Sequence, residues 1–133
     1  MGGSIVLNSS NKVLIVDDDP VFAGYMSSLI NNRLYQSVIA HSAGVLDSAA
    51  LDSFRIIVLD LWLPDSFGEE SLEKLIARGY SGGVILVSGA ASDDLHSVGK
   101  FGVDSGLDIL GVLRKPFDTA SFQHLLNPNV LNC

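Results

Sequence analysis

Four short runs of almost continuously apolar residues constrain this 133-residue chain more than any other feature. A strand that is buried on both faces of a parallel sheet has such a composition, whereas a strand with one face in water alternates apolar and polar residues. Their length and their Val and Ile content favour strands over buried helix segments. Together with a weaker run at 37–41, they predict strands β1 to β5 at Lys12–Val16, Ser37–His41, Arg55–Leu59, Gly83–Val87 and Ile109–Leu113.

Segments with helical spacing follow the five predicted strands. Pro20 suits a first helical turn, and Ser42 and Asp118 are suitable N-caps. Strands that alternate with helices predict a parallel sheet with right-handed crossovers and helices on both faces. The expected fold class is therefore α/β, a doubly wound five-stranded parallel sheet in a flavodoxin-like (βα)5 three-layer sandwich with strand order 2-1-3-4-5. The helices α1 to α5 are predicted at Pro20–Asn31, Ser42–Leu51, Glu69–Arg78, Ala91–Phe101 and from Asp118 onward.

Composition and charge limit the classes of function. The net charge of −7 disfavours direct contact with a nucleic-acid backbone. The single cysteine, Cys133, permits no intrachain disulfide, so a reducing, cytoplasmic compartment is expected. The chain has neither a signal-peptide pattern nor an apolar run of roughly 18–20 residues, so no membrane association is expected. We expect a flexible leader at residues 1–11, one domain at 12–127, and a tail or the start of a linker at 128–133.

Polar or charged side chains follow the four strong strands. The carboxyl ends of parallel strands lie at one edge of the sheet, which is where ligands bind in such folds. We therefore expect three or four carboxylates, one hydroxyl and one ammonium group to share one shallow cleft. The groups are Asp17-Asp18-Asp19 after β1, Asp60 after β3, Ser88-Gly89 after β4 and Lys115-Pro116 after β5.

The clustered carboxylates predict a divalent cation, because neighbouring negative charges repel one another and each raises the pKa of the others. Mg²⁺ takes oxygen ligands and suits such a cluster, with Mn²⁺ as an alternative. One carboxylate can then attack phosphorus and form an aspartyl phosphate. Phosphoryl transfer needs positioning and charge neutralisation, which the metal, Lys115 and Ser88 would supply.

Four stretches of the sequence resemble the signature stretches of response-regulator receiver domains. Each stretch is a weak signal alone, but all four occur in order and each lies at its own strand. The resemblance covers about residues 12–127. The stretches are VLIVDDDP (13–20), VLDLWLPDSFG (58–68), ILVSG (85–89) and VLRKPF (112–117).

This resemblance implies a role for each matching residue. Asp60 is expected to accept the phosphoryl group. The expected Mg²⁺ ligands are Asp17, Asp18, Asp60 and the backbone carbonyl of Trp62. The phosphoryl oxygens are expected to meet the Ser88 hydroxyl, the Gly89 N–H and the Lys115 ammonium. The Lys115–Pro116 bond is expected to be cis, which costs an X-Pro bond only about 0.5–1 kcal/mol.

The resemblance also implies partners. A sensor histidine kinase or phosphotransfer protein would donate the phosphoryl group, and the α4-β5-α5 surface would then control an output domain or partner, or form a homodimer. No enzyme activity beyond autodephosphorylation is expected. Val112 replaces the family's aromatic residue on the fifth strand, so the signal is expected to run through displacement of α4. The long stretch between Ser88 and Lys115 resembles receivers attached to EAL-type cyclic-di-GMP phosphodiesterases.

Three other functions remain open at this point. A pseudo-receiver would act as an interaction domain without phosphorylation. A haloacid-dehalogenase-like phosphohydrolase also uses an Asp, a hydroxyl, a Lys and Mg²⁺, but places a second acid where this chain has Trp62. A flavodoxin-like cofactor binder would need a phosphate-binding loop after β1, and that loop here is triply acidic.

Overall fold

The computed structural model describes residues 11–31, 35–89 and 94–126. Three of the predicted features lie outside these residues: the tail, nearly all of the leader, and the start of α4 at Ala91. The strands are β1 (Lys12–Val16), β2 (Gln36–Ala40), β3 (Ile56–Asp60), β4 (Gly83–Ser88) and β5 (Asp108–Arg114). The helices are α1 (Pro20–Asn31), α2 (Val45–Ser48), α3 (Glu69–Ala77), α4 (Asp94–Asp104) and α5 (Thr119–Leu126).

A parallel sheet with the order β2-β1-β3-β4-β5 forms the centre of the fold. This confirms the predicted strand order and the α/β fold class. The order reverses between β1 and β3, so successive crossovers run on opposite faces and helices cover both. All residues of β3 and β4 are buried, which explains why these strands carry no alternation of polar and apolar side chains.

Two apolar layers lie on the two faces of the sheet, because successive side chains of a strand point in opposite directions. In β1, Leu14 and Val16 pack in one layer, together with Leu72 and Leu75 of α3. Val13 and Ile15 pack in the other layer with α1 and α5, whose buried members include Met26, Ile30 and Phe122. The strands are therefore packed on both faces up to the ends that carry the polar side chains.

The predicted second helix, Ser42–Leu51, is wrong in its extent. The α-helix covers only Val45–Ser48, and a separate 3-10 turn follows at Leu51–Ser53. Ser42 does not cap it, because Gly44 occupies the cap position and makes no side-chain hydrogen bond there. The Asp65 carboxylate binds the backbone N–H groups of Ala43 and Gly44, which lie before the helix. The first N–H groups of the helix donate to the backbone carbonyls of Ser42, Ala43 and Gly44. A contact with a distant loop therefore holds the segment that precedes α2.

A short antiparallel hairpin between β3 and α3 was not predicted. Trp62–Leu63 pairs with Ser66–Phe67, so each strand has only two residues and shows no periodic pattern. The cap of α5 is confirmed, because Asp118 Oδ1 accepts the Ser121 N–H at 2.7 Å. In the described part of the chain, no helix combines the length and apolar character that crossing a membrane requires.

Candidate functional site

The carboxyl edge of the sheet brings together the charged residues that the sequence placed after the strands. Lys115 Nζ lies 2.8 Å from Asp17 Oδ2 and 3.2 Å from Asp60 Oδ2. Asp17 is completely buried, and Asp60 and Ser88 are nearly so. The sheet topology explains this meeting, since β1, β3 and β4 are neighbours and β5 borders β4.

Three carboxylates form an acidic cluster at this edge. Asp17, Asp18 and Asp60 each offer an oxygen atom, and these atoms all lie within 4.8 Å of one another. A set made only of carboxylate oxygens suits a hard divalent cation such as Mg²⁺. Asp19 has another role: its Oδ1 accepts the N–H groups of Val21 at 3.0 Å and Phe22 at 3.3 Å, so it caps α1.

Backbone hydrogen bonds orient the two buried carboxylates. Asp17 Oδ1 accepts the N–H of Asp19 at 2.9 Å, and Asp60 Oδ1 accepts the N–H of Trp62 at 2.8 Å. In each case the other oxygen, Oδ2, contacts Lys115. Both carboxylates are therefore held in one orientation before any ligand binds.

The turn after β5 is built as the sequence predicted. The Lys115–Pro116 peptide bond is cis. The backbone N–H of Lys115 donates to the carbonyl of Ser88 at 2.8 Å, which ties the end of β5 to the end of β4. A Cβ atom at Gly89 would lie 3.6 Å from Lys115 Cδ, an ordinary contact, so steric crowding does not require glycine at this position.

The electrostatics of the site shift the pKa values of both partners in the central ion pair. Burial raises the pKa of Asp60; the Trp62 N–H and the charge of Lys115 lower it, the charge of Asp17 raises it, and the net shift is upward. Burial alone would lower the pKa of Lys115, but the hydrogen bond to Asp17 and the charges of Asp60 and Asp17 outweigh it. Lys115 is therefore a firmly protonated cation between two acids.

The aromatic ring of Phe22, to which the sequence assigned no role, also belongs to the site. Lys115 Nζ lies 4.4 Å from the ring centroid of Phe22, within the range of a cation–π interaction. The same ring contacts Phe117 edge-on, with centroids 5.3 Å apart. Nothing in the apolar pattern of α1 separates Phe22 from its neighbours, so only the position of Lys115 identifies it.

Two more residues at the edge of the site were missed. His41 Nδ1 lies 3.1 Å from the backbone carbonyl of Asp17. Asp65, at the tip of the hairpin, binds the segment after β2 through both carboxylate oxygens. Asp65 lies within the stretch 58–68 that resembles the receiver family. An acidic side chain in a turn was the only feature of the sequence that could have identified it as a residue of the site.

The fifth strand carries Val112 at a place where α4 approaches closely. Val112 is half-buried, and a Cβ atom at Gly99 of α4 would lie only 3.0 Å from its Cγ1. Beside it, Leu95, His96, Val112 and Arg114 line a groove of ≈ 340 Å³. The glycine therefore lets the helix pack directly on the valine.

Comparison with known proteins gives a consistent result. A family model described as Response regulator receiver domain matches residues 13–127. The chain is 32% identical over 111 residues to the transcriptional regulatory protein KdpE of Mycobacterium tuberculosis, covering 83% of this chain and 46% of KdpE. It is 28% identical over 108 residues to the transcriptional regulatory protein CpxR of Escherichia coli, covering 81% of this chain and 44% of CpxR. The chain thus spans about half the length of these relatives.

A solved structure supports the fold. The crystal structure of a CheY-like response regulator receiver domain protein from Methanospirillum hungatei aligns with a TM-score of 0.74 and 25% identity. The alignment covers 93% of this chain and 96% of that one.

Proposed function

Because the chain belongs to the response regulator receiver domain family and is the receiver domain of a two-component response regulator, we propose that Asp60 accepts the phosphoryl group. The observation that carries this assignment is the contact of Lys115 with both Asp60 and Asp17 at the end of the central strands. Of these two acids, Asp60 is the last residue of β3, and one residue, Leu61, separates it from the hairpin. Family membership also favours this function over the haloacid-dehalogenase and cofactor-binding alternatives.

The described residues fit a divalent cation, because the acidic cluster offers oxygen donors within 4.8 Å of one another. We assign its ligands as the carboxylates of Asp17, Asp18 and Asp60 and the backbone carbonyl of Trp62, with Mg²⁺ as the cation and Mn²⁺ as the alternative. When bound, the cation neutralises the carboxylates and the negative charge of the transferring phosphoryl group.

The side chains of the site divide the remaining work. A carboxylate oxygen of Asp60 forms the new P–O bond while the P–N bond of a phosphohistidine breaks, and the histidine nitrogen keeps the electron pair. The Lys115 ammonium, already in contact with Asp60, offsets the charge that arrives with the phosphoryl group. The Ser88 hydroxyl and the Gly89 N–H donate hydrogen bonds to the phosphoryl oxygens.

We infer that the donor is a histidine kinase or phosphotransfer protein. We also infer that the α4-β5-α5 surface carries the response, by contact with an output domain, a partner protein or a second copy of the chain. The relatives are transcriptional regulatory proteins, which supports a transcriptional output. An EAL-type output stays a prediction that none of these relatives supports. The net charge of −7 argues against DNA contact by this domain itself. We place residues 12–127, as the receiver domain, in the cytoplasm, with no enzyme activity beyond autodephosphorylation.

Intact-protein mass spectrometry after incubation with acetyl phosphate and Mg²⁺ tests the assignment. The wild type should gain the mass of one phosphoryl group, and Asp60→Asn should gain none. Asp104→Asn is the matched control, since this exposed carboxylate pairs only with Lys100 in the described contacts and should leave labelling unchanged. Excess chelator should abolish labelling of the wild type.

Two outcomes would contradict the proposal. A folded wild type that gains no mass would favour a pseudo-receiver that acts without phosphorylation. Labelling of Asp60→Asn at the wild-type level would show that another residue accepts the group.

A further inference from the structure

We propose that Asp65 is a positioning residue that sets the cation affinity of the acidic cluster, by holding the Trp62–Phe67 hairpin against the segment that follows β2. This inference rests on the proposed function, since it concerns the same cation site. Asp65 is not itself a ligand in this proposal, and it acts through the backbone of the hairpin.

The contacts of Asp65 join two parts of the chain that are distant in sequence. Its Oδ1 accepts the N–H of Ala43 at 3.0 Å, and its Oδ2 accepts the N–H of Gly44 at 3.1 Å. Two parallel hydrogen bonds to one carboxylate fix orientation as well as distance. The tip of the hairpin is thereby attached to the residues just before α2.

The segment His41–Gly44, which we call the β2–α2 connection, also contacts the loop that carries Asp17. His41 Nδ1 lies 3.1 Å from the Asp17 carbonyl. The backbone N–H of Asp17 donates to the carbonyl of Ala40, the last residue of β2, at 3.0 Å. The β2–α2 connection therefore lies between the two loops to which we assign the cation ligands.

The hairpin contains the proposed backbone ligand. Trp62 pairs with Phe67, and the N–H of Gly68 donates to the carbonyl of Leu61 at 2.8 Å, which closes the base of the hairpin. Between these points the hairpin has only two pairs of residues. Such a short ribbon has little stability of its own. A buried contact between the Ser66 and Ser71 hydroxyls, 2.9 Å apart, holds the hairpin on the side of α3. Asp65 holds it on the side of the segment after β2, so loss of its contacts should let the Trp62 carbonyl move relative to Asp17 and Asp18.

The ionisation of Asp65 supports a persistent contact. The hydrogen bond from the Ala43 N–H lowers the pKa of Asp65, and the Gly44 N–H and the charge of Lys74 act in the same direction. The carboxylate is therefore ionised at neutral pH and offers both oxygens as acceptors. An amide at this position would keep one acceptor, and alanine would keep none.

Trp62 gives a direct measurement, because it is the single tryptophan of the chain and lies in the hairpin itself. We would titrate metal-free full-length protein with MgCl₂ and record tryptophan fluorescence, with calorimetry as a second readout of the same affinity. Asp65→Ala should weaken Mg²⁺ binding about tenfold, the effect typical of residues that orient metal ligands. Asp65→Asn should fall between Asp65→Ala and the wild type.

Asp47→Ala is the matched control. Asp47 lies in α2 close to the β2–α2 connection, and its carboxylate pairs with Lys74 at 2.8 Å rather than with the hairpin. Asp47→Ala removes one negative charge, as Asp65→Ala does. Mg²⁺ affinity should therefore change less than about twofold in Asp47→Ala, because only the screened long-range effect of the charge is lost. Asp47→Ala should also reach the wild-type plateau of labelling by acetyl phosphate, because it leaves the acidic cluster and the hairpin contacts in place.

The outcomes separate this inference from the proposed function. Failure of the wild type to bind Mg²⁺ in either measurement would remove the proposed cation site. Wild-type binding together with equal affinities for Asp65→Ala and Asp47→Ala would overturn the role of Asp65 alone. If Asp65→Ala lacks the circular dichroism spectrum of the wild type, Asp65→Asn against Asp47→Asn gives the same comparison, and equal affinities would again overturn it.

Discussion

The ammonium group of Lys115 donates a 2.8 Å hydrogen bond to Oδ2 of Asp17, although the two residues are 98 positions apart in the chain. Both side chains are shielded from water, with exposed fractions of 14% for Lys115 and 0% for Asp17. The same ammonium contacts Asp60. One cation thus balances two buried carboxylates before any metal or phosphoryl group arrives.

Replacing Lys115 with methionine should both destabilise the domain and block phosphorylation. The change leaves two buried carboxylates without their counter-charge, so the free energy of unfolding should fall by about 3 kcal/mol. Labelling by acetyl phosphate should slow about 100-fold or more, as when one stabilising donor is lost from an active site. Urea denaturation in the presence of chelator measures the stability, and mass spectrometry measures the rate of labelling.

The control for this variant is Lys100→Met. Lys100 pairs with Asp104 on the exposed face of α4, with exposed fractions of 77% and 62%. Such an exposed pair contributes little, so the loss should be below about 0.5 kcal/mol. Equal losses for the two variants would show that Lys115 does not balance buried charge.

Asp60→Asn should stabilise the metal-free domain at neutral pH. Burial is the main reason that the pKa of Asp60 is raised, so keeping this residue ionised in the folded state costs stability. The amide removes that cost, and the free energy of unfolding should rise by on the order of 1 kcal/mol.

The pH dependence of this gain has a definite sign. The loss of stability that the ionised Asp60 causes is fully present at pH values above the raised pKa of the folded state. It disappears as pH falls towards the ordinary value of 3.8, because the folded protein has by then bound the proton. The advantage of Asp60→Asn should therefore be largest near pH 7.5 and shrink towards pH 4.5. Denaturation of both proteins in chelator at these pH values checks this. An advantage that grows in acid would contradict a raised pKa.

Trp62→Asn should shorten the lifetime of the aspartyl phosphate. Trp62 lies two residues after Asp60, and about half of its side chain is exposed, so the indole can shield the acyl phosphate from attacking water. The decay of phosphorylated protein in excess Mg²⁺, followed by mass spectrometry, should be several times faster in this variant. Trp62→Phe keeps an apolar ring and should decay more slowly than Trp62→Asn. An unchanged or longer lifetime for Trp62→Asn would reject shielding.

The cation–π contact between Lys115 and Phe22 should be measurable by a double-mutant cycle. Phe22→Leu keeps an apolar side chain but removes the ring 4.4 Å from the ammonium group. Combined with Lys115→Met, it should show a coupling free energy of about 1 kcal/mol in urea denaturation. Tyr25→Leu provides the control cycle, because Tyr25 contacts the ring of Phe22 at 5.8 Å and Thr119 through its hydroxyl. Coupling of equal size in both cycles would contradict a specific contact with Lys115.

The strands and the chain positions of the main site residues could be read from the sequence. Continuous apolar runs indicate strands that are buried on both faces, because neither face of such a strand contacts water. The predicted bounds of β1, Lys12–Val16, are the observed ones. Since parallel strands must end at one edge, the sequence also indicated that Asp17, Asp60, Ser88 and Lys115 would meet there. Local capping chemistry was equally legible, as Asp118 shows.

Only the tertiary structure decided the features that depend on contacts between distant segments. Four features have no periodic or local signal in the sequence. They are the length of α2, the hairpin after β3, the contact of Phe22 with Lys115, and the attachment of Asp65 to Ala43 and Gly44. Each feature arises because the sheet brings together segments that are far apart in sequence. Polar and charged groups of one segment then bind groups of another. The sequence determined by itself which groups reach the edge of the sheet, because strands that alternate with helices run parallel and so end at the same edge. Their orientation, burial and pKa shifts depend on neighbours that only folding supplies.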